Sequence, residues 1–419
     1  MGPARFVVRK VRTAAFRAAS RRGGIDLSRL DRIPESWRWP LERDGVEASP
    51  KLREAPPISR MASILGMDVW LVTGYDIARD VLMETAAYST DIRPYVGARG
   101  AKGGDIGGLG FTDPPEHTEL RKLVTPEFTR RKLESMRPRI EQIVEDQLDL
   151  LEERGRAGKP VDFSSTFAFD VPFLVICELL GLPIDDRATF RTLGSARFDV
   201  SGGGMGAFGA ISGSREFLMA ATARQRITPG PGLIGRIVTE HGDEISDHDL
   251  GGLADGVFTG GMETSASMLA LGTGVLLDHP EVWASLAAGA DPEPIVEELL
   301  RHLAVVQVAF PRFARKDLVV GGQQVRKGDV VLVSIPGANT DGRDQFDPTR
   351  EPTSHLAFGH GLHRCVGGEL ARLELQIAFP ALARRFPTLQ AAGAPVYRES
   401  SLVFGVDAMP VRTGCPVAH

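Results

Sequence analysis

A glycine-rich stretch at residues 358–375, FGHGLHRCVGGELARLEL, carries the residue types best suited to chemistry. Cys365 stands directly before an amphipathic segment that predicts a helix, and the free N–H groups at a helix start favour a thiolate. Gly359 and Gly361 lack side chains, so the backbone there can lie close to a flat ligand. A thiolate held in this setting indicates a metal ligand rather than a cysteine that only packs.

A zinc site is the alternative interpretation of this region, because His355, His360 and His363 precede Cys365. Their spacing lacks the paired pattern that is usual among zinc ligands, and no second cysteine is near. We therefore do not favour zinc.

A second constellation is GGMETSAS at residues 260–267. Gly260 and Gly261 each cost a helix about 1 kcal/mol relative to alanine, and close helix packing is one reason to keep them. Thr264 can also bond the carbonyl of Gly260, four residues earlier, which would open a small polar notch. A notch that holds Glu263 and Thr264, an acid and an alcohol, suits proton delivery to a bound small molecule.

Two further pairs of polar residues each share one face of a predicted helix. In EELLR, Glu298 and Arg301 are three apart, and the neighbouring leucines favour partial burial of the pair. A buried ion pair needs further partners, and Arg350 is the candidate. In HTELR, His117 and Arg121 are four apart.

Start signals place the helices that position these residues. In TDPPEHTELRKL, Asp113 is the expected N-cap, with Pro114 in the first turn and Glu116 completing a capping box. Ser246, followed three residues later by Asp249, predicts the start of an apolar helix that runs through Leu277. Another helix should begin near residue 294 and include EELLR.

The strand signals are few. Residues 69–75, VWLVTGY, predict a strand that is followed by a helix from Asp76, and residues 317–336 form a short strand-rich block. Most of the remaining chain has helical periodicity. The sequence therefore predicts a mainly α protein with a minor β-sheet region, an α+β fold.

The composition is that of a globular protein. The 419 residues are 42% hydrophobic and carry a net charge of -5, so nothing global indicates nucleic-acid binding. Cys177, Cys365 and Cys415 cannot form a disulfide framework, which favours the cytoplasm. No apolar run is long enough for a transmembrane segment.

The N-terminus differs from the rest because its first 22 residues contain seven basic residues and no acidic one. We interpret residues 1–34 as a basic tail and residues 35–419 as a single catalytic domain. A solvated tail is the plain interpretation, and an amphipathic helix in peripheral contact with a membrane or partner is the alternative.

Taken together, these motifs resemble the cytochromes P450, the haem-thiolate monooxygenases. The pattern Phe358-Gly359-x-Gly361-x-His363-x-Cys365-x-Gly367 matches the haem-binding loop of that family, and the resemblance covers roughly residues 35–413. It implies a haem b between the long central helix and the cysteine-bearing loop, with Cys365 as the axial thiolate.

The resemblance also implies roles for the other motifs. Glu263 and Thr264 are the acid and alcohol of the oxygen-binding helix, where dioxygen is the co-substrate, and Glu298, Arg301 and Arg350 form a structural network. Two stretches depart from the family pattern: Gly260-Gly261 replaces Ala-Gly, and Asn339-Thr340-Asp341 replaces Asn-Arg-Asp in a shortened segment, 340–346. The residues expected to face the haem propionates are His117, Arg121, Arg312, His355 and His363.

By the same resemblance, the substrate is a lipophilic small molecule that is hydroxylated or epoxidised. Two glycine-rich patches, 97–110 and 201–214, fall in family substrate regions and predict a mobile lid, with plain surface loops as the alternative. The residues expected to line the substrate pocket are Ile106, Leu109, Phe208, Val306, Val308 and Phe404.

Two electrons must come from a partner, because the sequence contains no flavin or nicotinamide fingerprint. The resemblance implies a ferredoxin-type redox partner with its reductase. The alternatives are peroxide-driven or non-hydroxylating haem-thiolate chemistry and a haem-binding sensor without turnover. The residues expected to form a basic docking face are Lys122, Arg130, Arg131, Lys132, Arg364 and Arg372.

Overall fold

The structure, a computed structural model, describes residues 35–64, 66–95, 109–182, 198, 215–216, 218–340, 342, 345–351 and 353–414. The predicted basic tail, most of the two glycine-rich patches, Ile106, Phe208 and Cys415 lie outside these residues. No helix within the described ranges combines the length and the apolar character needed to cross a bilayer.

Helices make up most of the described chain. They are α1 (Glu35–Arg38), α2 (Pro50–Arg53), α3 (Tyr75–Met83), α4 (Glu116–Val124), α5 (Arg130–Gly155), α6 (Asp170–Leu180), α7 (Leu233–His241), α8 (Asp247–Leu277), α9 (Pro280–Ala287), α10 (Glu293–Leu303), α11 (Ile335–Thr340) and α12 (Gly368–Arg385). Residues 218–227 are also helical.

The strands are short. They are β1 (Arg43–Asp44), β2 (Glu47–Ala48), β3 (Ile58–Ile64), β4 (Met67–Val72), β5 (Tyr88–Ser89), β6 (Val161–Asp162), β7 (Arg312–Ala314), β8 (Leu318–Val320), β9 (Gln323–Val325), β10 (Val330–Val333), β11 (Gln390–Ala391), β12 (Val396–Tyr397), β13 (Val406–Ala408) and β14 (Pro410–Arg412). The predicted α+β class agrees with this arrangement.

The largest sheet joins the two regions that the sequence marked as strands. Its order is β3-β4-β10-β7-β5. β4 and β10 run parallel, with Val330 opposite Val69, and the remaining pairs are antiparallel. β7 belongs to this sheet and carries Arg312, so the sheet fixes the position of one predicted site residue.

Helix α8 is the centre of the helical layer and is buried over most of its surface. It packs against α6, α9, α10 and α12. The hydroxyl of Ser246 accepts a hydrogen bond from the Asp249 N–H at 3.0 Å, which satisfies one free donor of the first turn. The predicted start at Ser246 and end at Leu277 are both confirmed.

The predicted N-cap of α4 is wrong. The cap residue is Pro115, and no side chain caps the helix. The Asp113 carboxylate instead bonds the Thr90 N–H at 3.0 Å and pairs with Arg315 at 2.7 Å. Asp113 therefore ties α4 to the strand region rather than closing the helix end.

Candidate active site

The loop before α12 is a tight hook that presents Cys365. Gly359 and Gly361 have φ of +66° and +70°, a region that favours glycine. A Cβ on Gly361 would lie 2.8 Å from the carbonyl oxygen of Leu82, so this glycine lets the loop approach the backbone of α3. The Cys365 N–H donates to the Phe358 carbonyl at 2.8 Å and closes the hook.

The Cys365 side chain is exposed, yet desolvation raises the pKa of its thiol. The two observations agree if the sulfur faces a narrow, protein-lined space rather than bulk water. The N–H of Gly367 and the positive charges of Arg121, Arg364 and Arg372 act in the opposite direction and lower this pKa. These groups stabilise the thiolate form of Cys365. Coordination to a metal ion would complete its deprotonation, because a coordinating thiol loses its proton.

A half-buried ion-pair cluster supports the hook from α10. Arg372 places its guanidinium 4.5 Å from the ring centre of Phe358 and donates to Glu297 at 3.0 Å. His355 contacts the same carboxylate through Nε2 at 3.0 Å, while its Nδ1 accepts from the Ala357 N–H. Because both ring nitrogens of His355 have protein partners, the prediction that it faces a propionate is wrong.

The other four predicted propionate residues form one cluster: His117, Arg121, Arg312 and His363. The rings of His117 and His363 are 4.4 Å apart, and Arg121 Nη1 donates to the carbonyl of Arg364 at 2.7 Å. Burial lowers the pKa of Arg312 to about 10. Burial, followed by the charges of His117 and Arg312, lowers the pKa of His363 to about 4. The cluster is therefore short of negative charge.

These residues fit a group that brings carboxylates. Both nitrogens of His117 are buried and have no hydrogen-bond partner within the described residues, which is costly in a folded protein. The guanidinium of Arg312 donates to the carbonyl of Phe310 at 2.9 Å and forms no ion pair with any carboxylate in the described ranges. Two haem propionates would supply the missing acceptors.

Helix α8 has an open stripe on its otherwise buried surface. Gly256 and Gly260 are exposed, Thr264 is half-buried, and the three are spaced four apart on one face. A Cβ at Gly256 or Gly260 would meet no atom within 4 Å. Thr264 donates to the Gly260 carbonyl at 2.6 Å, as the sequence predicted. A Cβ at Gly261 would instead lie 2.8 Å from Ile176 Cδ1, so within the Gly260-Gly261 pair it is Gly261 that serves close helix packing.

The Glu263 side chain turns away from this stripe. Its carboxylate is 2% exposed and is ion-paired with Arg398, which follows β12. Arg398 also binds Asp407 at 2.9 Å. Sequence reasoning missed Arg398, because an arginine in a hairpin 135 residues away carries no local signal.

The predicted structural network is present as a set of contacts. Arg301 is 1% exposed and forms two bonds of 2.7 Å to Glu298, while Arg350 Nε lies 3.6 Å from the same carboxylate. Arg301 also donates to the carbonyls of Asn339 and Gln345, each at 3.0 Å. Asn339 and Gln345 are thereby tied to α10.

The predicted substrate-pocket residues that the structure describes differ in how far they are buried. Val306 and Val308 are half-buried, and with Phe310 they alternate along one side of an extended segment. The carbonyl of Leu109 accepts a hydrogen bond from His363 Nδ1 at 3.1 Å. Phe404 is 2% exposed and packed between Arg43 and Tyr397, so the prediction that it lines an open pocket is wrong.

Glu374 is a second residue that sequence reasoning missed. It lies on α12, is 2% exposed and interacts with Ser265 of α8, while its Oε2 has no hydrogen-bond partner within the described residues. Burial raises the pKa of Glu374 to about 8. A lone glutamate in the apolar run LARLELQIAF was the available signal.

We expect Glu374→Gln to weaken the dependence of stability on pH. Between pH 4.5 and about 8 the unfolded chain has lost this proton while the folded chain keeps it. Stability therefore falls as pH rises through this window, by up to about 1.4 kcal/mol per unit from this group. Urea unfolding at pH 6 and pH 8 should show the variant losing about 2 kcal/mol less than the parent. Equal losses in Glu374→Gln and in a control at exposed Glu281, Glu281→Gln, would contradict this assignment.

Comparisons with known proteins agree with the geometry. The family model described as Cytochrome P450 matches residues 60–187 and 293–399. Cytochrome P450 165B3 of Amycolatopsis orientalis is 39% identical over 367 residues, which cover 84% of this chain and 92% of that protein. The 6-deoxyerythronolide B hydroxylase of Saccharopolyspora erythraea is 36% identical over 388 residues, 86% of this chain and 94% of that enzyme.

Solved structures show the same likeness. StaH, a P450 from biosynthesis of the glycopeptide antibiotic A47934, has a TM-score of 0.77 and 40% identity, and the match covers 89% of this chain and 99% of that one. MycCI of Micromonospora griseorubida, a mycinamicin VIII C21 methyl hydroxylase, has a TM-score of 0.81 and 32% identity at the same coverage. This chain belongs to the cytochrome P450 family and is a haem-thiolate monooxygenase that acts on small molecules, with dioxygen as co-substrate.

Proposed function

We propose that the open stripe of α8 and the Cys365 hook would hold the haem between them, with the Cys365 thiolate as the residue that would bind its iron. His117, Arg121, Arg312 and His363 hold the propionates. The observation that carries this proposal is the pair of unpartnered, buried nitrogens on His117, which lie beside the ring of His363 and near two arginines, Arg121 and Arg312. Gly359 shapes the hook, the N–H of Gly367 acts on Cys365, and Phe358 is braced by Arg372.

When bound, the haem supplies the activation of dioxygen, and the protein supplies protons and orientation. The Thr264 hydroxyl donates to Gly260, so its oxygen keeps lone pairs that can accept from a water in the notch. The open positions at Gly256 and Gly260 leave room for that water. Glu263 is the proposed source of the protons that pass to this site.

We expect Thr264→Ala to separate reductant consumption from product formation. Without the hydroxyl, the notch loses its acceptor and the water that it holds is no longer fixed. Product formed per reductant consumed should fall roughly tenfold or more, with the balance released as hydrogen peroxide. Thr264→Ser keeps the hydroxyl and is the matched control. Unchanged coupling in Thr264→Ala would remove Thr264 from proton delivery.

We propose further that the substrate is a peptide intermediate of the glycopeptide-antibiotic type. The relatives include cytochromes P450 165A3, 165B3 and 165C4 at 38–39% identity. Structures from A47934 and teicoplanin biosynthesis are among the similar folds. The half-buried Val306 and Val308 and the exposed Phe310 offer an apolar, partly aromatic wall for aromatic side chains of such a peptide.

A macrolide is the second candidate substrate, because 6-deoxyerythronolide B hydroxylase and MycCI are also relatives. Titration of the purified haem protein with aromatic peptides and with macrolides, followed by the shift in haem spin state, distinguishes the two. A shift with the peptides alone supports the proposal, and a shift with the macrolides alone overturns it.

A ferredoxin with its reductase is the proposed electron source, and the cytoplasm is the proposed location. Lys122, Arg130, Arg131 and Arg364 are exposed and form the basic docking face. Lys132 lies 3.2 Å from the buried carboxylate of Glu127 and contributes less. Arg372 does not belong to this face, because it is held by Glu297 and Glu369.

A further inference from the structure

The proposed substrate wall is an extended segment, residues 305–310, that follows the end of α10. Alternate side chains of such a segment point to opposite sides. Val306 pairs with Val403 and Val308 pairs with Ser334, each through an isolated bridge outside the named strands. Isolated bridges fix register less firmly than a continuous ladder, and a slip of one residue would turn the valines away from the pocket.

Gln307 is the polar residue of this segment. Its side chain points away from the two valines and is 0% exposed. Its Nε2 donates to the carbonyls of Ser401 and Leu41, at 2.8 Å and 3.2 Å. Its Oε1 accepts from Arg43 Nε at 2.8 Å, so every polar atom of this side chain has a partner. Because an unsatisfied buried amide is costly, these bonds favour one position of the segment.

Arg43 reaches this glutamine from the short hairpin of β1 and β2, far away in the sequence. Its Nη2 donates to the carbonyl of Ala304 at 3.1 Å, and its guanidinium carbon lies 4.6 Å from the ring centre of Phe404. The Phe404 N–H in turn donates to the carbonyl of Val305 at 2.7 Å. Arg43 therefore contacts the residue before the segment, its buried glutamine and a neighbour that is bonded to it.

Ala304 marks the point where α10 ends and the segment begins. Its backbone has φ of +40° and ψ of +60°, a left-handed conformation that residues other than glycine rarely adopt. Such a conformation costs free energy and persists only where the surrounding contacts determine it. The bond that Arg43 donates to the Ala304 carbonyl is one of these contacts.

We propose that Arg43 is a positioning residue for substrate selectivity: with Gln307 it forms a pin that keeps Val306 and Val308 facing the substrate. The pin acts without contact between Arg43 and the substrate, and it makes selectivity depend on the N-terminal hairpin. This inference rests on the proposed assignment of the two valines to the pocket wall. An arginine with a purely structural role would support folding without changing the position of the wall.

The first test uses the haem protein and two ligands of its iron, imidazole and 4-phenylimidazole, with the shift of the Soret band as the signal. Imidazole needs only the iron, whereas the phenyl ring must also pack against the wall. In Arg43→Met, the dissociation constant of 4-phenylimidazole should rise about fivefold and that of imidazole should stay within about twofold. Arg43→Lys, which can reach only one of the two acceptors, should show a smaller rise. Parent-like constants in both variants would overturn the pin.

Arg385→Gln is the matched control. Arg385 also joins distant elements, because it lies at the end of α12 and its partners Glu145, Asp149 and Glu152 lie on α5. This variant should lower the urea midpoint and leave the ratio of the two dissociation constants within about twofold of the parent. A fivefold change of the ratio in Arg385→Gln would show a general loosening of the protein and would count against the pin.

Hydrogen exchange of the haem protein supplies a readout that does not depend on ligand binding. The Gln307 N–H donates to the carbonyl of Leu402 at 2.9 Å, so its protection reports the position of the segment. In Arg43→Met, the peptide that spans residues 304–310 should exchange about tenfold faster, whereas in Arg385→Gln it should exchange at the parent rate. Unchanged exchange of this peptide in Arg43→Met would contradict the proposal.

Val306→Ala separates this inference from the proposed function on which it rests. It removes part of the wall itself and should raise the dissociation constant of 4-phenylimidazole by about fivefold. If Val306→Ala has this effect and Arg43→Met does not, only the pin fails. If Val306→Ala also leaves the constant unchanged, the assignment of the wall fails, and the role of Arg43 in selectivity fails with it.

Discussion

Replacing Cys365 with serine is expected to abolish the long-wavelength Soret band that the reduced protein shows with carbon monoxide. That band requires a thiolate ligand, and a serine hydroxyl cannot supply one, because it is far less acidic than a thiol. Product formation with the redox partner should fall below detection, since the electron density that favours O–O cleavage comes from sulfur. Spectra of the reduced, carbon monoxide-bound variant measure the first effect directly.

Cys177 provides the matched control. It is buried in α6, and burial raises the pKa of its thiol to about 12, so it cannot replace Cys365 as a ligand. Cys177→Ala should keep the band and cost about 1 kcal/mol of stability for the small space that it leaves. A band retained in Cys365→Ser, or lost in Cys177→Ala, would contradict the assignment of the ligand.

The sequence predicted the features that depend on neighbours along one helix. Ser246 caps the Asp249 N–H and Thr264 bonds the Gly260 carbonyl because each partner is three or four residues away. Those distances are set by the helix itself. For the same reason Glu298 and Arg301 were correctly expected to pair.

The errors have the opposite cause, because each involves partners that are far apart in the sequence. Asp113 is occupied by Thr90 and Arg315, and the acid that binds His355 is Glu297. No local pattern shows that such groups meet in the fold. Arg398, which meets Glu263, was missed on the same grounds.

Glu298→Ala is expected to prevent stable, haem-retaining folding. Arg301 is 1% exposed, and its guanidinium forms two bonds of 2.7 Å to the Glu298 carboxylate. Removing one partner of a buried ion pair costs about 3–5 kcal/mol. The carboxylate also accepts from the Asp347 N–H at 3.0 Å, so residues 345–347 lose their anchor too.

This loss should reach the haem site through Asn339. Its amide donates to the carbonyl of Arg301 at 3.1 Å, and its oxygen accepts from the Leu356 N–H at 2.8 Å, two residues before Phe358. Arg350→Ala removes a contact of 3.6 Å from a side chain that is 26% exposed, and should cost no more than about 1 kcal/mol. The ratio of haem absorbance to protein absorbance, measured after purification and during heating, separates the two variants. Equal haem retention in Glu298→Ala and Arg350→Ala would show that the buried pair does not support the Cys365 hook.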